Sequence, residues 1–143
     1  MNTEVMFSSK TDQWATPKKF FDELNNEFHF TLDPCADELN HKCSRYFTKE
    51  QDGLLQSWSN EVVFCNPPYG RELQWWVKKC FDEVYSGECR CSVMLIPART
   101  DTKWFHKYIY KKAEIRFIKG RLKFGDSTNS APFPSMVVVF RKE

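Results

Sequence analysis

Four consecutive residues, Asn66-Pro67-Pro68-Tyr69, combine side-chain types that could hold a planar amine. Two prolines in a row fix φ and donate no N–H, so their carbonyls are free to accept from another molecule. Asn66 adds an amide oxygen as a second acceptor, and Tyr69 adds a flat ring on which a heterocycle could stack. Two acceptors and a platform suit an exocyclic amino group. The plain alternative is a strand ending in a proline turn.

Such a turn needs a scaffold, and the flanking residues predict one. Val62-Val63-Phe64-Cys65 reads as a buried strand. After Gly70-Arg71 comes a helix whose Leu73, Trp76, Val77, Cys80, Phe81 and Val84 form one apolar stripe, closed by Gly87. That helix is assigned to packing. The tetrapeptide therefore falls at the carboxyl end of a strand, where open α/β sheets bind ligands. Phe28 to Leu32 predicts a second strand, running into Asp33-Pro34-Cys35-Ala36-Asp37. A carboxylate there could hold a ribose hydroxyl or a cationic group, and an Asx turn is its local alternative. Ser92 to Ile96 predicts a third strand, stopped by Pro97.

The remaining segments fit around these. Trp14-Ala15-Thr16-Pro17 predicts a helix start, with Thr16 as N-cap and Pro17 as first helical residue. The helix continues to about Asn26 with Phe20, Phe21, Leu24 and Phe28 on one face, and Trp14 either staples it or touches a ligand. Residues 38–60 are irregular, with a short strand over Arg45–Thr48 and a turn at Asp52-Gly53-Leu54 before Trp58. A connection that long in a compact domain is expected to wrap a ligand. A helix from Thr100 or Asp101 to about Lys112, a strand over Glu114–Ile118, a polar loop over 126–134 and an apolar last strand over Met136–Phe140 complete the chain. Strands alternating with helices imply an α/β sheet with right-handed crossovers, and put the turns at Asp33, Asn66 and Pro97 on one edge.

The 143 residues suit one domain, read as a mobile arm over 1–12 and a folded unit over 13–143. No apolar run approaches the length of a membrane span, and no secretory signal is expected from Met1 to Lys10, which has no basic region followed by an apolar one. The six cysteines lie in predicted core positions or match no paired metal spacing, so a reduced, metal-free protein is expected. The net charge of +2 conceals an asymmetry: residues 1–70 carry 6 basic and 11 acidic side chains, and residues 71–143 carry 15 and 8. A basic second half could track phosphates, and solvated helix faces are the bland counterpart.

Taken together, Trp14-Ala15-Thr16-Pro17, Asp33-Pro34-Cys35-Ala36-Asp37, Asp52-Gly53-Leu54 with Trp58, Asn66-Pro67-Pro68-Tyr69 and Gly120-Arg121-Leu122-Lys123-Phe124 resemble, in order and spacing, the small phage-type DNA N6-adenine methyltransferases. The resemblance extends over roughly residues 12 to 141. It implies a Rossmann-like methyltransferase fold, mostly parallel with an antiparallel last strand, and S-adenosylmethionine as cofactor. It further implies that Trp14, Thr16, Pro17, Asp33, Ala36, Asp52 and Leu54 contact that cofactor. Asn66 and the Pro67 carbonyl, with Pro68, would hold the target amino group, and Tyr69 would stack on the extruded base. Arg121, Lys123 and Phe124 would bind substrate. DNA is the implied partner, with RNA adenine, protein glutamine or a non-catalytic nucleic-acid-binding module as alternatives. A phage or prophage protein in the cytoplasm of a bacterial host, as monomer or homodimer and with no membrane partner, is the implied setting. Two features depart from the pattern. Asp37 and Glu38 stand where a glycine is expected in the first cofactor motif. No segment is long enough for a separate recognition domain, leaving only 38–60 and 126–134 to read sequence.

Overall fold

The computed structural model describes residues 14–125 and 129–142; the arm expected over 1–12 and part of the loop over 126–134 lie outside them. Six strands form one sheet: β1 (Leu32–Asp33), β2 (Arg45–Tyr46), β3 (Val62–Cys65), β4 (Cys91–Pro97), β5 (Glu114–Phe117) and β6 (Ser135–Arg141). Their order is β2-β1-β3-β4-β6-β5. β1, β2, β3 and β4 are mutually parallel, and β6 runs antiparallel to both β4 and β5. The expected mostly parallel sheet with an antiparallel last strand is thus present. Two helices pack on it, α1 (Lys18–Phe28) and α2 (Leu73–Tyr85).

The core sits on the long central strands. All seven residues of β4 and six of seven in β6 are buried, which matches the unbroken apolar run of 136–140. Leu73, Trp76, Val77, Cys80 and Val84 of α2 are buried, as their spacing predicts. Because β1, β3 and β4 share one direction, Asp33, Asn66 and Pro97 end on the same edge.

Three local expectations are corrected. Phe28 belongs to α1 rather than to a strand. The His29 N–H donates to the Asn25 carbonyl at 2.8 Å and the Phe30 N–H to Asn25 Oδ1 at 2.8 Å, which carries the chain past the expected end of the helix. The alternation of Phe28 and Phe30 instead stacks their rings, with centroids 5.6 Å apart. The helix expected to reach Lys112 is a π-helical turn over Phe105–Ile109, closed by the Tyr110 N–H donating to the Phe105 carbonyl at 2.8 Å. Its first turn is held by Thr102, whose Oγ1 accepts from the Phe105 N–H at 3.3 Å, rather than by Thr100 or Asp101. Finally, the residue at the N-cap of α1 is Pro17, and no side chain caps that helix. No helix is long and apolar enough to cross a membrane among the described residues.

Candidate active site

A cavity of about 760 Å³ opens at the carboxyl edge of β1 and β3. Its wall includes Trp14, Thr16, Asp33, Ala36, Asp52 and Leu54, together with Asn66, Pro67 and Pro68. Six of the seven cofactor residues expected from the sequence therefore meet there, although they are spread over some forty positions of chain. Pro17 is the exception, since it forms the start of α1 and its carbonyl accepts from the Phe21 N–H at 3.0 Å.

Asp33 closes one end of the cavity in an unexpected way. Its two carboxylate oxygens accept from backbone N–H groups, Oδ1 from Cys35 at 3.2 Å and Oδ2 from Lys42 at 2.9 Å. Burial raises its pKa, and those two N–H groups oppose the rise. The carboxylate thus ties the turn after β1 to the segment leading into β2. The Asx-turn alternative is realised, with the residue still on the wall.

The turn at Asp52-Gly53-Leu54 forms the facing wall. Asp52 sits at φ 55° and its side chain accepts from the Leu54 N–H at 3.1 Å, starting a short 3-10 turn over Gly53–Leu55. A Cβ at position 53 would lie 2.3 Å from the Pro34 carbonyl oxygen, so only glycine lets this wall close on the Asp33 turn. Trp58 braces the arrangement. Its indole N–H donates to the Gly53 carbonyl at 3.1 Å, and its ring stacks near Trp76.

Asn66 occupies the centre of the edge. Its Nδ2 donates to the Trp14 carbonyl and to Thr16 Oγ1, the latter at 2.8 Å. Its Oδ1 accepts from the Tyr69 hydroxyl, 2.7 Å away, which also lies 2.8 Å from the Leu95 carbonyl. A carbonyl neighbour accepts only, so Nδ2 must face Trp14 and Oδ1 must face Tyr69. Burial holds the Tyr69 hydroxyl well above its ordinary pKa, so it keeps its proton as a donor.

Sequence and geometry together meet a known group. The profile of the DNA N-6-adenine-methyltransferase (Dam) family matches residues 3–143. The chain is 32% identical over 140 residues to the DNA N-6-adenine-methyltransferase of Haemophilus phage HP1 (strain HP1c1), covering 92% of this chain and 80% of that protein. It is 32% identical over 114 residues to the DNA N-6-adenine-methyltransferase of Escherichia phage T1, covering 78% of this chain and 46% of that protein. The chain belongs to the DNA N-6-adenine-methyltransferase family.

Methyl transfer in this family implies S-adenosylmethionine, and the cavity fits such a group on three counts. Its volume falls in the range of small-molecule sites. Its wall carries the carboxylates of Asp33, Asp37, Glu50, Asp52 and Glu72 against Lys42 and Lys49, a balance favourable to a cationic ligand. The wall residue Trp76 has a buried indole N–H with no partner among the described residues, a donor that their own hydrogen bonds leave over. Trp76, read from its spacing as packing alone, is one of the wall residues that sequence reasoning missed. A helical stripe carries no mark of which indole will lack an acceptor.

The residues expected at the substrate side divide. Tyr69 is only 3% exposed and lies edge-on to Phe124 and Phe133, with centroids 6.2 and 5.6 Å away. Its ring is therefore part of an aromatic cluster, which Trp14 completes with edge contacts to Phe124 at 5.5 Å and Phe133 at 5.2 Å. Phe124 joins this cluster; Arg121 and Lys123 are exposed and stand off the cavity wall. Phe133, flanked by prolines in a polar loop, is a cluster member that the sequence reading passed over.

The cysteines are unpaired thiols. Cys35, on the cavity wall, lies 3.8 Å from Cys65 sulfur to sulfur, and burial pushes the Cys35 thiol up to about 11. It stays neutral at physiological pH and is a weak nucleophile beside an activated methyl group. Among the described residues no group of three or more His, Cys, Asp or Glu is placed to hold a metal ion.

Proposed function

We propose that the protein transfers a methyl group to N6 of an adenine extruded from DNA, with the Asn66 amide oxygen and the Pro67 carbonyl holding the amino group. Adenine methylation in DNA is the activity that names the family to which the chain belongs. The observation that carries the finer reading is the fixed amide of Asn66, whose oxygen keeps one spare lone pair after accepting from Tyr69.

The N6 lone pair of adenine is delocalised into its ring and is a poor nucleophile. Acceptors on both N6 hydrogens orient the group and favour the pyramidal form that attacks in line, and such positioning is worth several kcal/mol. Trp14, Asp33, Ala36, Asp52 and Leu54 would hold S-adenosylmethionine, with Pro17 setting the helix behind them and Thr16, on the same wall, engaged by Asn66. When bound, that cofactor supplies a methyl group already activated by its positively charged sulfur. Extrusion of the base costs a few kcal/mol, which stacking in the aromatic cluster offsets. A base meets the Tyr69 face only after Phe124 and Phe133 draw back. Arg121 and Lys123, on the segment that leaves β5 at the site edge, would contact phosphates. The setting that suits this chemistry is the cytoplasm of a bacterial host, where phage DNA is modified.

Tyr69 contributes its hydroxyl as well as its ring. Tyr69→Phe is expected to lower kcat about tenfold, because the single hydroxyl hydrogen that lies between the Asn66 oxygen and the Leu95 carbonyl is lost. An unchanged kcat in steady-state methylation would confine Tyr69 to its ring. Calorimetric titration with S-adenosylmethionine tests the reading as a whole. Saturable heat from one site is expected, and its absence would favour a non-catalytic nucleic-acid-binding module.

A further inference from the structure

Thr16 occupies a position that ordinarily caps a helix, yet its hydroxyl makes no cap bond with α1. It is 4% exposed, and its Oγ1 accepts from Asn66 Nδ2 at 2.8 Å across fifty residues of chain. The second Nδ2 hydrogen goes to the Trp14 carbonyl. The Trp14 carbonyl, which can only accept, therefore selects the nitrogen on that side, and the Thr16 hydroxyl holds the second hydrogen of the amide so selected. A rotated amide would set Oδ1 against the Trp14 carbonyl and offer Nδ2 to the substrate side, where a donor would repel an incoming N–H.

The segment that carries Thr16 is anchored independently of α1. The Gly125 N–H donates to the Ala15 carbonyl at 2.8 Å, and the Trp14 ring is wedged between Phe124 and Phe133. The hydroxyl is thus presented from a braced strap rather than from a fraying helix end.

We propose that Thr16 is a positioning residue for methyl transfer: its hydroxyl holds the Asn66 amide in the orientation that the Trp14 carbonyl selects, with the oxygen facing the target amino group. The inference rests on Asn66 as the amino-group clamp. Because Thr16 also stands on the cavity wall, the same residue links the wall that would hold the cofactor to the group that would hold the base.

Thr16→Val keeps the shape and removes the acceptor, leaving one buried amide hydrogen unpaired. Single-turnover methylation at saturating cofactor and DNA should slow by about 10- to 100-fold. The cofactor Kd by calorimetry and the thermal midpoint should stay close to those of the parent. Thr16→Ser keeps the hydroxyl and should restore the rate to within about threefold. On an Asn66→Ser background, which has no amide to orient, Thr16→Val should change the residual rate less than about twofold.

A weakened cofactor Kd with an unchanged saturated rate would overturn the inference and make Thr16 a cofactor contact. A full further loss on the Asn66→Ser background, or a Ser variant as slow as the Val variant, would overturn it as well. Failure of the underlying reading looks different. There Asn66→Ala itself would turn over normally, whereas failure of the Thr16 inference alone leaves Asn66→Ala inactive and Thr16→Val near normal.

Discussion

Asn66→Ala is expected to reduce methyl transfer by about 10³-fold or more while changing the cofactor Kd by no more than about threefold. The substitution removes the only side-chain amide at the end of β3 and, with it, the acceptor proposed for the target amino group. The backbone of the turn stays in place, because it is set by the two prolines and by the pairing of β3 with β4. Folding is little disturbed, since Asn66 is only partly buried and its polar neighbours regain other partners or water. Paired measurements of single-turnover rate and calorimetric affinity check this. A near-normal rate would show that the amino group is held elsewhere, whereas a lost affinity with normal rate at saturation would make Asn66 a cofactor residue.

Trp58→Ala is expected to have the largest effect on stability. The side chain is fully buried between the short Gly53–Leu55 turn and α2. Its backbone N–H donates to Glu83 Oε1 at 3.0 Å, and Lys79, paired with Glu83 at 3.1 Å, lies over its ring. Truncation opens a cavity under this wall and takes the indole donor from the Gly53 carbonyl, which keeps the Gln56 N–H at 3.3 Å. A cost of about 3–5 kcal/mol follows, a large part of the total for a domain of this size. Urea unfolding should show a lower midpoint with an unchanged slope. Cofactor affinity should fall too, because Gly53 and Leu54 lose their brace. Trp58→Phe separates the two contributions: it keeps most of the packing and loses the indole bond, for about 1–3 kcal/mol. A Trp58→Ala protein with a parental midpoint would mean that the 3-10 turn holds itself.

What was legible in the sequence is what local chemistry decides alone. The apolar stripe of α2 and the unbroken run of β6 lead to their elements because periodicity and burial have no local rival there. That Asn66-Pro67-Pro68 would lie at a ligand crevice was legible because they end a strand of an open α/β sheet, and all three line the cavity. The choice among partners was not legible. Thr16 reads as a cap from its neighbours, and a distant amide takes its hydroxyl instead. Asp33 reads equally as a ligand residue or an Asx turn, and its oxygens are taken by Cys35 and, nine residues on, by Lys42. Tyr69 reads as an open platform, but Phe124 and Phe133 come from a segment more than fifty residues away. Phe28 was drawn into α1 by one residue, Asn25, whose backbone carbonyl and side-chain oxygen serve two successive N–H groups. At Thr16 and Tyr69 the deciding contact is tertiary, and local propensity names only the competitor; at Asp33 and Phe28 it is a nearby side-chain-to-backbone bond that competes with regular structure.

The most direct measurement is transfer of label from S-adenosylmethionine carrying a tritiated methyl group. The protein is incubated separately with DNA, RNA and protein acceptors, and each product is digested to its monomers and separated. The account predicts label in DNA alone, recovered as N6-methyladenine. Label in another base, or in RNA or protein in preference to DNA, would contradict it.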